Sequence, residues 1–350
     1  MPDERSALER TRTKGDTEVS DVSPIFRPPN SRRLVSAWAL RDQADHALQV
    51  ATEFSDIFDQ VIFMCDHAQA DASLPTNWPA EQRRELTAKF NALGVSTLND
   101  YSGLRATWAE LARAPRSIEA LVENMVKECE YTGADGVDLD FEQLPPQQRF
   151  AYGEFVRKLS EGLHAGGKML SICTASPSRS ETRDFGLPFL DTSFLAHYAD
   201  HIRPMNYDLF CPSSPVLGPT STAPWARERM QCLSAQVPRH KIVMGLPTYS
   251  VDWDVTEPKN SRQIYDWLWL AEREKESEIG RAWLPHWDVG LMRYKDAQGN
   301  IHLVYVTDAR STQSHLETAD ALDLGGVCFW VLMGEDPEIW ECVRRYFGRR

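Results

Sequence analysis

An alternating acidic segment is the part of this sequence best suited to chemistry. It reads ADGVDLDFE over residues 134–142 and is followed by Pro145 and Pro146. Because side chains alternate along a strand, Asp138, Asp140 and Glu142 share one face, and the apolar residues between them share the other. Placing several like charges side by side in a buried position costs energy and raises the pKa of at least one of them. Such an arrangement is typical of a catalytic site.

Eight short apolar runs, each followed by a segment of helical character, would position these acids. The runs are 34–40, 61–65, 95–98, 136–141, 169–174, 201–206, 242–246 and 326–331. Apolar stripes at helical spacing predict helices over 117–131 and about 147–164. This alternation predicts an α/β fold, a closed (β/α)8 TIM barrel, in preference to an open doubly wound sheet. The outward face of a barrel strand packs on helices, so we expect the three acids of the fourth strand to point inward.

The stretch between the seventh and eighth strands is too long for one helix and contains a hairpin signal. Two alternating runs flank a turn at Gln298, Gly299 and Asn300. We therefore expect an insertion at about 250–306 that walls one side of the active face. Residues 1–30 are polar and aperiodic, which predicts a flexible N-terminal segment, and residues 31–350 would form the barrel domain with its insertion.

Composition argues against several other classes of function. Fifty-one acidic against 38 basic residues give a net charge of −13, so we expect no nucleic-acid partner. No long apolar run and no N-terminal signal peptide are visible, so we expect no membrane insertion, and a cytoplasmic location and non-classical export both remain open. The seven cysteines are scattered, and the nine histidines show no HxH or HExxH spacing, so we expect no metal site. No glycine-rich nucleotide loop follows any strand, so we expect no cofactor. We expect a monomer.

The acidic segment resembles DxxDxDxE, the fourth-strand signature of glycoside hydrolase family 18, the chitinase-like enzymes, at all four acidic positions. The end of the sixth strand, 205–208, is similar to the MxYD of that family, and Trp330 lies where the family has the floor of its sugar site. The seventh strand, 244–249, is similar too. The third strand, 96–103, lacks the SxGG of the family, and Trp38 stands in a setting uncommon among chitinases. The sequence therefore looks more like the branch that includes spore-cortex and peptidoglycan N-acetylglucosaminidases.

The resemblance implies a substrate-assisted, retaining mechanism. In that scheme Glu142 is the general acid and then the base, and Asp138 and Asp140 increase its affinity for a proton. Asp140 also holds the acetamido N–H of the substrate, and Tyr207 donates to the acetamido carbonyl. The substrate-binding residues would be Asp208, on a sugar hydroxyl, Trp330, stacked under the cleaved ring, and the further residues Met205, Trp38, Tyr249 and Asp135, the last in a supporting role.

The expected activity is hydrolysis of β-1,4 bonds in glycans that contain N-acetylglucosamine. Chitin, peptidoglycan and the chitobiose core of N-glycans all present this sugar, so the polymer stays open, as does endo or exo action. An endo-β-N-acetylglucosaminidase acting on N-glycans is one alternative. A non-catalytic, chitinase-like lectin is another, but such proteins typically lack the acid that corresponds to Glu142.

Overall fold

The computed structural model describes residues 32–74, 77–103, 105–142, 144–175, 177, 189–277 and 279–347. The N-terminal segment expected to be flexible, residues 1–30, lies outside the described residues. Within the described ranges, no helix combines the length and the apolar character needed to cross a bilayer.

Eight parallel strands form the central sheet, as the sequence predicts. They are β1 Leu34–Ala39, β2 Gln60–His67, β3 Ser96–Gly103, β4 Gly136–Phe141, β5 Met169–Thr174, β6 His201–Pro204, β7 Val243–Pro247 and β13 Gly326–Leu332. Their spatial order is β6-β5-β4-β3-β2-β1-β13-β7. Parallel bridges between Ile202 and Ile242 and between Met205 and Gly245 join β6 to β7. The sheet is therefore a nearly closed barrel.

Gly245 allows β6 and β7 to approach each other at this seam. A Cβ atom on Gly245 would lie 2.7 Å from the carbonyl oxygen of Pro204 and 3.3 Å from the ring of Tyr207. The first distance is shorter than a van der Waals contact, so a side chain would push the two strands apart. The close approach also keeps the end of β6, where Tyr207 follows, against the rest of the barrel.

Helices cover the outside of the barrel. They are α1 Ala44–Glu53, α2 Ala80–Ala92, α3 Arg105–Leu111, α4 Pro115–Thr132, α5 Arg149–Ala165, α6 Thr192–Tyr198, α7 Ala223–Leu233, α9 Ala309–Ala321 and α10 Glu338–Phe347. Helix α8 Trp267–Glu276 belongs to the insertion between the last two barrel strands and packs on its sheet. The two helices expected from apolar stripes are α4 and α5. Helix α4 begins at Pro115 and ends before Gly133, which adopts the left-handed conformation with φ of 72°.

The core is divided by the barrel wall. Outward-facing residues of the strands, including Val137, Leu139 and Phe141, pack with the helices in one large apolar cluster. A smaller cluster fills the inside of the barrel and includes Trp38 and Cys173. The polar and charged side chains that share this interior are the starting point of the site.

The insertion between β7 and β13 forms a second, antiparallel sheet. Its strands are β8 Ser250–Asp254, β9 Arg262–Ile264, β10 Ala282–Leu284, β11 Val289–Lys295 and β12 Ile301–Val306, in the order β10-β11-β12-β8-β9. The expected hairpin is β11–β12, whose turn contains Gly299 at φ of 86°. Glycine tolerates this conformation without the clash that a Cβ would cause.

Candidate active site

Strand β4 directs its acids as the alternation predicts. Asp138 is completely buried inside the barrel, whereas Val137 and Leu139 are buried on the helix side. Asp140 is half-buried one step nearer the carboxyl end of the strand, and Glu142 is exposed just after the strand ends. The three carboxyls therefore form a line from the barrel interior to its mouth, where the sites of such barrels lie.

Asp138 is held by donors from three other strands. The indole Nε1 of Trp38 donates to its Oδ2 over 3.2 Å, and the hydroxyl of Ser171 donates to its Oδ1. The Cys173 Sγ lies 3.4 Å from Oδ2. The Nε of Arg203, which is also fully buried, lies 3.4 Å from Oδ1. This carboxylate is therefore fixed in place, and a positive charge lies beside it.

Asp100 is a member of the site that the sequence analysis missed. It is buried on β3, directly beside Asp138 in the strand register. Burial, the charges of Asp138 and Asp140, and a hydrogen bond with Asp138 raise the pKa of Asp100 well above its ordinary value. The surroundings of Asp100 therefore favour its protonated form beside Asp138. The sequence feature that could have identified Asp100 is an acidic residue at an inward-facing position of the third strand.

One group of residues in this interior has the composition of a metal site. Ligand atoms of Asp100, Asp138 and Cys173 all lie within 4.8 Å of one another. Two features fit a metal poorly. Burial raises the pKa of the Cys173 thiol well above its ordinary value, whereas a metal needs the thiolate. The guanidinium of Arg203 already lies beside Asp138.

Asp140 and Glu142 both hold protons more strongly than ordinary carboxyls. Burial, followed by the charges of Glu142 and Asp138, raises the pKa of Asp140 to about 8. Partial desolvation, followed by the charge of Asp208, raises the pKa of Glu142. Asp140 can therefore carry a proton near neutral pH, and the pKa of Glu142 is shifted in the direction that a general acid needs.

Asp208 is fixed at the mouth of the barrel by residues from three segments. It adopts the left-handed conformation with φ of 58°, and its N–H donates to Thr220 Oγ1 over 3.0 Å. Its Oδ1 accepts from the hydroxyl of Tyr249 at 2.5 Å and from Nε2 of Gln263 at 3.1 Å. Gln263 belongs to β9 of the insertion, so the second sheet reaches the site through this residue. Tyr249 itself is buried behind Asp208.

The aromatic residues expected at the site lie at different depths. Trp330 is half-buried on β13, precedes a cis peptide bond and packs edge to face against Trp38, with ring centroids 5.9 Å apart. Trp38 is only 2% exposed, so it supports Asp138 from inside the barrel. Tyr207 is half-buried, and burial raises its pKa well above the ordinary value, so its hydroxyl remains a donor.

Two expected site residues lie away from the line of acids. The carboxylate of Asp135 accepts the backbone N–H of Thr97 over 2.9 Å, at the amino end of β4 and opposite the mouth. Its role is to join β3 to β4. Met205 is half-buried against the outer apolar cluster, and its N–H donates to the carbonyl of Thr174 over 2.8 Å. The structure brings the other eight expected residues to the barrel interior, its mouth or directly behind it.

Comparisons with known proteins agree with this geometry. The profile of glycosyl hydrolases family 18 matches residues 39–336. The chain is 26% identical over 216 residues to the "Uncharacterized glycosylase YvbX" of Bacillus subtilis, a match that covers 60% of each protein. It is 26% identical over 239 residues to the "Cortical fragment-lytic enzyme" of the same species, covering 65% of this chain and 53% of that protein. The chain thus spans little more than half the length of these curated relatives.

A solved structure shows the same fold. The chitinase from Chromobacterium violaceum superposes with a TM-score of 0.81 at 21% identity, and the match covers 91% of this chain and 100% of that one. The barrel, its acidic fourth strand and a family match over most of the described residues lead to one conclusion: this chain belongs to glycosyl hydrolases family 18, a family of glycosidases.

Proposed function

We propose that the chain hydrolyses β-1,4 bonds in glycans that contain N-acetylglucosamine, by a substrate-assisted reaction that retains configuration. The observation that carries this proposal is the line of carboxyls Asp138, Asp140 and Glu142, in which the outer two have raised pKa values. A lectin has no use for a proton donor at the mouth. The presence of Glu142 therefore favours catalysis over binding alone.

The placement of the acids favours a nucleophile from the substrate. Same-face residues on one strand are roughly 6.5–7 Å apart, so Asp140 and Glu142 approach a bound sugar from the same side. A group on the other side of the anomeric carbon must perform the attack. In the family mechanism this group is the 2-acetamido oxygen of the substrate.

The reaction then divides into two steps. In the first, Glu142 gives its proton to the glycosidic oxygen while the acetamido oxygen bonds to C1, which forms an oxazolinium ion and releases the leaving sugar. Asp140 accepts the acetamido N–H, and Tyr207 donates to the acetamido oxygen. In the second step, Glu142 takes a proton from water, whose oxygen attacks C1 and reopens the ring. Two inversions at C1 give net retention.

Asp208 and Trp330 would hold the sugar in this reaction. The exposed carboxylate of Asp208 is suited to a sugar hydroxyl, and the half-buried indole of Trp330 offers a face for stacking. Tyr249 and Gln263 donate hydrogen bonds to Asp208, and Trp38 packs against Trp330. Asp135 and Met205 stabilise the barrel.

We propose peptidoglycan as the preferred polymer, with chitin oligomers as the second candidate. Support for peptidoglycan comes from the name of the Bacillus subtilis cortical fragment-lytic enzyme. Support for chitin comes from the Chromobacterium violaceum chitinase. Incubation with peptidoglycan, chitin oligomers and N-glycoproteins, followed by mass spectrometry of the products, distinguishes these from endo-cleavage of N-glycans. A monomer remains our prediction, and sedimentation equilibrium tests it.

Glu142→Gln tests the catalytic proposal. The amide keeps the shape but cannot donate a proton, so turnover should fall by roughly two to four orders of magnitude while oligosaccharide binding survives. Glu128→Gln is the matched control, because Glu128 pairs with buried Arg83 outside the barrel. That variant should lose stability and keep turnover. Near-normal turnover by Glu142→Gln would refute the assignment.

A further inference from the structure

A buried arginine crosses the inside of the barrel below the catalytic acids. Arg203 on β6 is fully buried, and each of its three guanidinium nitrogens has a hydrogen-bond acceptor. Its Nε donates to Ser171 Oγ over 3.1 Å, one Nη donates to Ser36 Oγ over 2.8 Å, and the other donates to Gln60 Oε1. Ser171 in turn donates to Asp138. Three strands therefore fix the guanidinium beside the innermost catalytic carboxylate.

The groups around this guanidinium are acidic or neutral. Asp138 on β4 pairs with it, and the thiols of Cys173 on β5 and Cys328 on β13 lie near it. Neutral Ser36 and Gln60 accept its hydrogen bonds from β1 and β2. Burial raises the pKa of both thiols, which stay uncharged. Arg203 lies within ion-pair distance of Asp138, with 3.4 Å between its Nε and the Oδ1 of the carboxylate. One positive charge thus pairs with Asp138, which in turn interacts with Asp100 and Asp140.

We propose that Arg203 is a positioning residue, which fixes the negative charge of this layer on Asp138 and so leaves the exchangeable proton on Asp140, beside Glu142. A guanidinium cannot lose its proton under these conditions, and an ion pair favours the charged form of its partner. Burial and the charges of Asp138 and Asp140 favour the protonated form of Asp100. The carboxyl in this interior that remains free to exchange a proton is then Asp140.

This arrangement matters for the proposed reaction, on which the inference rests. When Glu142 gives its proton to the leaving oxygen, it becomes a carboxylate. A protonated Asp140 stabilises that new charge, whereas an ionised Asp140 would repel it. When Glu142 regains a proton from water, the starting state returns, and no further reactant is needed. Without Arg203, Asp138 would compete with Asp140 for the proton. The stabilisation of the Glu142 carboxylate by a protonated Asp140 would then be lost.

The test compares Arg203→Met with Arg203→Lys. Loss of the positive charge leaves the buried carboxylate of Asp138 without its cation, so Asp138 competes with Asp140 for the proton. The acid limb of the pH profile of kcat/KM should then move up by about one to three pH units in Arg203→Met. Arg203→Lys keeps the charge and should leave this limb within about half a unit of the wild type. An unchanged limb in Arg203→Met, or an equal shift in both variants, would overturn the proposal.

Arg83→Met is the matched control for the loss of a buried arginine. Arg83 is also fully buried and pairs with Glu128, but it lies on α2, outside the barrel. This variant should be less stable and keep the wild-type pH profile. A similar shift of the acid limb in Arg83→Met would show that loss of stability, and not the charge beside Asp138, moves the profile.

A spectroscopic measurement separates this inference from the proposed function. In protein labelled with ¹³C at aspartate carboxyls, the Asp138 signal at neutral pH should be that of a carboxylate in the wild type and in Arg203→Lys, and that of a protonated carboxyl in Arg203→Met. Assignment uses Asp138→Asn. If Asp138 is protonated in the wild type at neutral pH, the inference fails even if the protein is an active glycosidase. If Asp138 is ionised but no glycan is cleaved, the proposed function fails alone.

Discussion

Asp140→Asn should make the protein more stable at alkaline pH. The pKa of Asp140 rises from an ordinary value of about 4 to about 8 in the folded protein. Between these values the folded protein holds a proton that the unfolded chain has released. The free energy of unfolding of the wild type therefore falls as the pH rises through this window. An asparagine has no proton to lose there, so the variant avoids this decline.

The size of the effect follows from the same pKa. At about 1.36 kcal/mol for each pKa unit, the full window corresponds to about 5 kcal/mol, which Asp140 shares with Glu142 because their charges interact. We compare the free energy of unfolding of Asp140→Asn with that of the wild type. The difference should be about 2–4 kcal/mol more in favour of the variant at pH 8.5 than at pH 5. For a chain of this size that is a relative rise of several degrees in Tm. Turnover should fall in the same variant, because the amide cannot exchange the proton.

Thermal and urea unfolding at both pH values measure this difference. Asp135→Asn is the matched control, because Asp135 lies in the same segment but accepts a backbone N–H at the other end of the strand. That variant should be less stable at both pH values. If the gain of Asp140→Asn were equal at pH 5 and pH 8.5, or absent at both, the raised pKa of Asp140 would be wrong.

Two further predictions concern the substrate-binding side of the mouth. Trp330→Ala should weaken binding of N-acetylglucosamine oligomers by about 1–3 kcal/mol in calorimetry, through lost stacking, and unchanged binding by a folded variant would assign Trp330 to the core alone. Tyr249→Phe removes one donor from the Asp208 carboxylate and should raise KM by about tenfold in steady-state kinetics, since hydrogen bonds to charged groups contribute about 1.5–3 kcal/mol. An unchanged KM would mean that Gln263 alone holds Asp208.

The sequence predicts the barrel and the line of acids on β4 because both depend on local periodicity. Apolar periodicity alone predicts only the first part of the third strand. The apolar run ends at Leu98, but β3 continues to Gly103 through Asn99, Asp100 and Ser102. These polar residues can continue a strand because the barrel interior supplies their partners. That context depends on other strands, so a pattern of apolar residues stops too early and Asp100 is missed.

Arg203 and Gln263 could not be predicted for a different reason. Arg203 bonds Ser36 and Gln60, which are 167 and 143 positions away in the sequence. Gln263 reaches Asp208 from a separate sheet, 55 positions away. Such pairs are set by the closure of the barrel and by the docking of the insertion. Local spacing carries no information about either.

The contact of the insertion with Asp208 links the second sheet to the acid at the barrel mouth. The charge of Asp208 helps to raise the pKa of Glu142, and its effect depends on the distance between the two carboxyls. That distance is held by the buried hydroxyl of Tyr249 and by Gln263 of β9. A change in where the insertion docks would therefore alter the proton affinity of Glu142 as well as the shape of the cleft. The second sheet thus contributes to the chemistry through the position of one carboxylate.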